Sequence, residues 1–146
     1  MRLEDHSGPS EIVIRCQEHR STRVRLFAPE AHGDDELVFG MEAQADGLQA
    51  RLERVEVHPW QTEYLSTFLG GLAADFRGWD GERVWRTNHL GLAATFASGG
   101  HVRLVWTLSD SLVMPDSWQA SVSTWIEAGE QMVQVAEQAR EFLRGW

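Results

Sequence analysis

Four groups of side chains in this 146-residue chain are of types that do chemistry. His32-Gly33-Asp34-Asp35-Glu36 gathers oxygen and nitrogen ligands within one short stretch. Hard divalent cations use such carboxylates, but the spacing fits no metal loop, and the stretch reads first as an acidic turn between strands. His58, His89 and His101 have the residue type of a general base, which needs a carboxylate and a cleft beside it. His58 precedes Pro59 where a helix is about to start, His89 opens a strand on its non-core face, and His101 follows the Gly99-Gly100 turn. His89 and His101 then stand at opposite ends of one hairpin, too far apart to share a metal. Glu127 and Glu130 flank Ala128-Gly129 and could form an acid/base pair. Their place where a strand becomes a helix favours a structural role, complementing the helix N-terminus by about 0.3–1 kcal/mol. The fourth group is Trp79, Trp85, Trp106, Trp118 and Trp125 with Arg77, Arg83, Arg86 and Arg103. Trp106 and Trp118 are predicted to face the core, and Trp125 and Arg103 the opposite side. An outward Trp beside Arg has the composition of a protein-binding hot spot.

Composition narrows the classes of function. All 13 basic residues are Arg, which removes Schiff-base chemistry and the phosphate-binding lysine of a P-loop. No CxxC, HExxH, GxGxxG, GxSxG or EF-hand spacing occurs. A net charge of −9 opposes binding to a phosphate backbone, so no nucleic-acid partner is expected. It suits a basic protein partner instead. The single Cys16 excludes an internal disulfide, and the polar first nine residues carry no secretory signal. Neither a metal nor a cofactor is expected, no apolar run is long enough for a membrane span, and cytoplasmic residence is the expectation.

The elements that would position these residues follow from periodicity. Ile12, Ile14 and Cys16 alternate with polar neighbours, as do Val24, Leu26 and Ala28, which predicts two strands, the second ended by Pro29. Asp46-Gly47 between alternating runs predicts a two-residue hairpin pairing Ala45 with Leu48, Ala43 with Ala50 and Met41 with Leu52. Beyond Leu52 the faces mismatch, and one extra residue near Glu53-Arg54, a β-bulge, restores them. Tyr64, Leu65, Phe68, Leu69, Leu72, Ala73 and Phe76 then recur at helical spacing up to about Arg77. The Gly70-Gly71 pair inside that helix suggests close packing against a strand or a local weakness. A hairpin with a three-residue Ser98-Gly99-Gly100 loop pairs Ala97 with His101, Phe96 with Val102 and Leu92 with Trp106. A loop over 109–117, a last strand over 118–126 and a helix from about Gly129 to Arg144 complete the chain. The expected fold is α+β: one domain over 10–146, with 1–9 fraying, and a mainly antiparallel sheet of seven or eight strands. One long helix follows the fourth strand and one helix closes the chain; strand order and any division of the sheet are left open.

Trp60-Gln-Thr-Glu-Tyr-Leu-Ser-Thr-Phe-Leu, Leu72-Ala73, Gly78-Trp79-Asp80-Gly81, Trp85, Gly100-His101-Val102 and Glu127-Ala128-Gly129-Glu130-Gln131-Met132 resemble a small actinobacterial family of unknown function. In its order of strands, long helix, strands and last helix, that family is similar to bacterial immunity proteins, cytoplasmic inhibitors of polymorphic toxins. The resemblance brings no catalytic position. Together with the negative charge and the absence of catalytic motifs, it leads to the expectation of a non-enzymatic protein that occludes a basic toxin domain; the binding candidates, read from the residues themselves, are Trp125, Arg103, His101, His89 and Glu127. Two other readings stand beside it. One is a small-molecule binder or hydrolase with a Trp-lined pocket between helix and sheet, approached by His89, His101 or Glu127. The other is a homodimer formed through an edge strand or aromatic face.

Overall fold

A computed structural model describes residues 9–58, 60 and 63–144. The elements run β1 (Glu11–Arg15), β2 (Arg23–His32), β3 (Glu36–Ala45), β4 (Leu48–Val57), α1 (Leu65–Ala74), β5 (Glu82–Arg86), β6 (Leu90–Ala97), β7 (His101–Ser109), β8 (Gln119–Glu127) and α2 (Glu130–Leu143). Short turns keep consecutive strands adjacent within each half, and α1 interrupts the series. The eight strands therefore divide into two antiparallel sheets, β1-β2-β3-β4 and β5-β6-β7-β8, and the fold is α+β. The expected fraying of 1–9 falls, except for Pro9, outside the described residues.

Both predicted hairpin registers hold. β3 pairs with β4 through Ala45–Leu48, Ala43–Ala50 and Met41–Leu52, and then Phe39 meets Val55 across the extra residue on β4. β6 pairs with β7 from Ala97–His101 to Leu90–Leu108, with Gly100 at φ 79° in the loop between them. β2 departs from expectation, because Pro29 does not end it. Between Phe27 and Glu30 the register with β3 shifts by a bulge, Ala28 adopts φ 51°, and the strand resumes to His32. At a bulge the proline's missing N–H leaves no ladder bond unmade. Ala28 is consequently exposed instead of joining Val24 and Leu26 in the core.

Leu26, Phe39 and Met41 of the first sheet, Leu92, Leu104, Trp106 and Ile126 of the second, and Leu65, Leu69 and Phe142 of the helices belong to one buried cluster. Phe142 of α2 meets Phe39 edge to face, centroids 6.0 Å apart. The buried Trp side chains find partners, as such groups must: Trp106 donates to Thr124 Oγ1 at 2.9 Å, and Trp85 to the Glu63 carbonyl at 2.7 Å. The latter bond ties the start of α1 to β5. The sheets also join through the backbone, since Gln17 N–H donates to the Trp125 carbonyl at 2.9 Å and Trp125 N–H to Cys16 Sγ at 3.3 Å. Helix α2 lies against β1 and β8 at this seam, and α1 packs on α2.

Helix α1 ends at Ala74, short of Arg77, with Asp75 N–H donating to the Gly71 carbonyl. Tyr64 and Phe76 thus lie beyond its ends and are exposed. The close-packing reading of Gly70-Gly71 is overturned, because a Cβ on either would meet nothing. Gly40 of β3 carries the real constraint: Phe27 of β2 lies across it, and a Cβ there would collide with the ring. Gly40→Ala is expected to lower stability by about 1–3 kcal/mol through overpacking, whereas Gly70→Ala should raise it by up to about 1 kcal/mol. Urea unfolding of both variants checks this; a Gly40→Ala protein as stable as the parent would contradict the packing described.

Candidate functional site

β7 and β8 pair along their lengths, with Arg103 opposite Trp125 and His101 opposite Glu127. Strand alternation turns these four away from the core, while Val102, Leu104, Val122 and Ile126 point into it. Arg103 is exposed and donates to Ser123 Oγ at 3.2 Å; Trp125 is half-buried. The predicted outward pair is thus in place. His89 sits elsewhere, in the turn before β6 and not in the strand, with Nδ1 donating to the Asp110 carbonyl at 2.8 Å. The length of β6, roughly 25 Å, separates it from His101. His101 and Glu127 are cross-strand neighbours, but they share the outward face and His89 stands at the far end of the hairpin, so the three build no Trp-lined pocket between helix and sheet. Glu130 occupies the first turn of α2, as its structural reading required. Glu127 lies at the end of β8, its N–H donating to Gln131 Oε1 at 2.7 Å.

The same outward face holds residues that the sequence reading missed. Glu82, Val84 and Arg86 of β5, Gly91 and Ala93 of β6, and Val105 and Thr107 of β7 share it. Small side chains on β6 sink its centre into an open depression of about 270 Å³, bounded by Leu112 and Gln119. Val84 is 58% exposed there. Between those bounding residues runs the 110–118 segment, pinned by Arg86 donating to the Leu112 carbonyl at 3.1 Å and by Ser109 Oγ donating to the Trp118 carbonyl at 2.8 Å. Val113, Met114 and Trp118 are exposed on it, at 69%, 61% and 45%. Trp118 was expected to face the core; β8 starts only at Gln119, so the core-facing alternation begins beyond it. The readable signal was the apolar triplet Leu112-Val113-Met114 inside a loop, where apolar runs have no core to enter.

On the first sheet the outward face is occupied by its own ion pairs. Phe27 lies between the guanidinium groups of Arg25 and Arg51, at 4.4 and 4.5 Å from its centroid. Arg25 reaches Glu11 at 2.6 Å and Glu42 at 3.5 Å, and Arg51 reaches Glu42 at 3.6 Å. Burial pushes the Glu42 carboxyl up, but the Gln49 amide and the two guanidinium groups outweigh it and hold the carboxyl below its ordinary range.

At one end of this sheet a second constellation forms. Extending the β3–β4 register by one pair beyond Leu37–Val57 sets Glu36 beside His58, and Glu56 lies on the same face. His58 Nε2 stands 3.4 Å from Glu36 Oε2 and 3.9 Å from Glu56 Oε1. Its Nδ1 donates to the Asp35 carbonyl at 3.0 Å, and its ring stacks on Trp60 with centroids 4.8 Å apart. Arg54, placed at the bulge, reaches Glu56 Oε2 at 2.9 Å and Glu36 Oε1 at 3.7 Å. The hydrogen bond from Arg54 holds the Glu56 carboxyl below its ordinary range against an opposing effect of burial, aided by the charges of Arg54, His89 and His58. His32, the first residue of the acidic stretch, instead pairs with Glu30 at 3.2 Å.

Because the folded chain holds the Glu56 proton less tightly than the unfolded chain, this group stabilises the fold above the ordinary carboxylate range. The contribution is lost as pH falls through the lowered folded value. Arg54→Gln is expected to be less stable than the parent at pH 7, with a smaller further loss between pH 5 and pH 3. Urea unfolding across that range checks it; equal acid sensitivity in both proteins would contradict the coupling.

No helix among the described residues is long and apolar enough to cross a membrane. Neither a curated protein nor a solved structure matches this chain. A family of unknown function (DUF6228) does match, over residues 15–145. That span takes in β2 to β8 and both helices, with only the last residue of β1, and the chain belongs to this family.

Proposed function

We propose that this chain is a non-enzymatic protein-binding protein, an immunity protein of actinobacterial type that acts in the cytoplasm by occluding a basic toxin domain. The observation that carries the reading is the open outward face of β5–β8, where exposed Val84 lines a shallow depression bordered by the 110–118 segment, on which Val113, Met114 and Trp118 are exposed as well. An exposed group of large apolar side chains flanked by Arg86 and Arg103 is what a protein interface uses as its centre. The first sheet offers no such centre, since its outward charges already pair with one another. Glu82, Arg86, Arg103 and Glu127 leave the proposed face near neutral in formal charge. The overall charge of −9 therefore steers a basic partner from a distance, and the apolar contacts retain it. The resemblance in element order to immunity proteins supports the choice of partner. The ligand-pocket reading is weakened because His89 stands apart from the His101–Glu127 pair, and that pair lies on the outward face and not between helix and sheet.

The full chain can be immobilised and exposed to a lysate of its native host at low and moderate salt, and the captured protein co-expressed with it. A basic, growth-inhibiting protein is expected, neutralised by the parent chain. Its association should slow as salt rises. Val84→Asp and Met114→Asp should each weaken capture by about 2 kcal/mol, roughly thirtyfold, at unchanged melting temperature. Capture of no protein at either salt, or capture by both variants as strong as by the parent chain, would count against the proposal. Concentration-dependent self-association abolished by Val84→Asp would assign the face to a second copy of this chain instead.

A further inference from the structure

The Glu36, Glu56 and His58 cluster lies on the first sheet and plays no part in the proposed interface. Its three ligand atoms, one from each residue, all lie within 4.8 Å of one another. A tetrahedral divalent ion with bonds of about 2.0–2.1 Å holds its ligands roughly 3.3 Å apart. The 3.4 Å and 3.9 Å from His58 Nε2 to the two carboxylate oxygens are close to that edge. Modest turning of two carboxylates would close the triangle, leaving the fourth corner to water.

The hydrogen bonding around the cluster makes these atoms face one another. A carbonyl only accepts, so His58 Nδ1 must carry the proton that it shares with Asp35. In the neutral imidazole that leaves the Nε2 lone pair aimed at two carboxylate oxygens, an arrangement of acceptors alone. A donor or a positive species between them relieves it: a bridging water, a proton on Nε2 or a metal ion. Arg54 does not fill this place. It binds the other oxygen of each carboxylate, Glu36 Oε1 and Glu56 Oε2, and so orients the free oxygens toward His58. Histidine ligands held by a backbone carbonyl through the second nitrogen, with carboxylates fixed by hydrogen bonds, are the usual outer support of a metal site. Stacking on Trp60 fixes the ring plane. The imidazole favours a borderline ion such as zinc over calcium or magnesium, which prefer oxygen alone.

We propose that Glu36, Glu56 and His58 form a site for one divalent transition-metal ion of the zinc class, with Arg54 as the residue that positions both carboxylates. The site joins β3 to β4 at the end opposite their Asp46-Gly47 turn, so the ion would clamp the open end of that hairpin. Arg54 lowers its affinity by charge, which places it among weak or regulated sites and not among buried structural ones. Besides Arg54, His89 is the charged or titratable group whose field reaches Glu56 from the second sheet.

The test is titration of the full chain with zinc chloride, read by calorimetry and by the melting temperature, with magnesium chloride as the comparison. Zinc is expected to bind with one-to-one stoichiometry and raise the melting temperature; magnesium should do neither. His58→Gln and Glu36→Gln should each weaken zinc binding at least tenfold. Binding should also weaken from pH 7.5 to pH 5.5, because protons compete for the imidazole. In the NMR spectrum of the parent chain, zinc should shift the His58 ring signals ahead of those of His32, His89 and His101. No zinc binding at millimolar concentration would overturn the proposal, leaving His58 as a simple ion pair. Undiminished binding in His58→Gln would overturn it as well, by placing the ion elsewhere.

Discussion

Side-chain alternation along β5–β8 is the constraint from which the functional reading of this fold follows. Sending Leu92, Leu104, Trp106, Val122 and Ile126 into the shared core commits Ala93, Arg103, Val105, Ser123 and Trp125 to the other side. Both helices serve the inner side: α2 lies over the β1–β8 seam and α1 packs on α2. Among the described residues no helix or strand returns to cover the outward face of the second sheet, and only the 110–118 segment borders it through Leu112. The rest of the face is open as a consequence of the chain's order, and its apolar content is the feature on which the proposed docking rests.

The two sheets solve the problem of an outward face differently. On the first, Arg25, Arg51, Glu11 and Glu42 pair around Phe27, whose ring in turn requires Gly40 beneath it. Surface pairs of this kind contribute little stability each, but they leave the face polar and satisfied. On the second, Gly91 and Ala93 leave space, and the pinned segment carrying Val113 and Met114 adds apolar surface beside it. The bulge on β4 has a separate effect. It keeps Val55 and Val57 inward and sets Arg54 among Glu36, Glu56 and His58, so one inserted residue serves both the core and the charged cluster.

Strand pairing was legible in the sequence wherever turn chemistry and alternation agreed. Asp46-Gly47 and Ser98-Gly99-Gly100 set the β3–β4 and β6–β7 registers that occur, and alternation revealed the bulge on β4 and the outward direction of Arg103 and Trp125. Three features were not legible. Pro29 reads locally as a strand end, and only pairing with β3 on both sides of the bulge carries β2 past it. Trp118 fits the alternation of β8 by sequence, yet the ladder that enforces alternation starts one residue later. The division into two sheets was not legible because no local pattern says whether β4 and β5, which α1 separates, pair with each other. The Glu36–His58 juxtaposition was within reach, since it extends the predicted β3–β4 register by three further pairs from Phe39–Val55.

The account rests on the outward face of the second sheet being where a partner docks. Amide hydrogen exchange of the chain, free and bound to the protein it captures, measures this directly. Protection on binding should concentrate in the 110–118 segment and in the β5 and β6 strands that flank the depression. Protection confined to β2–β4 of the first sheet, or to α1 and α2, would contradict it.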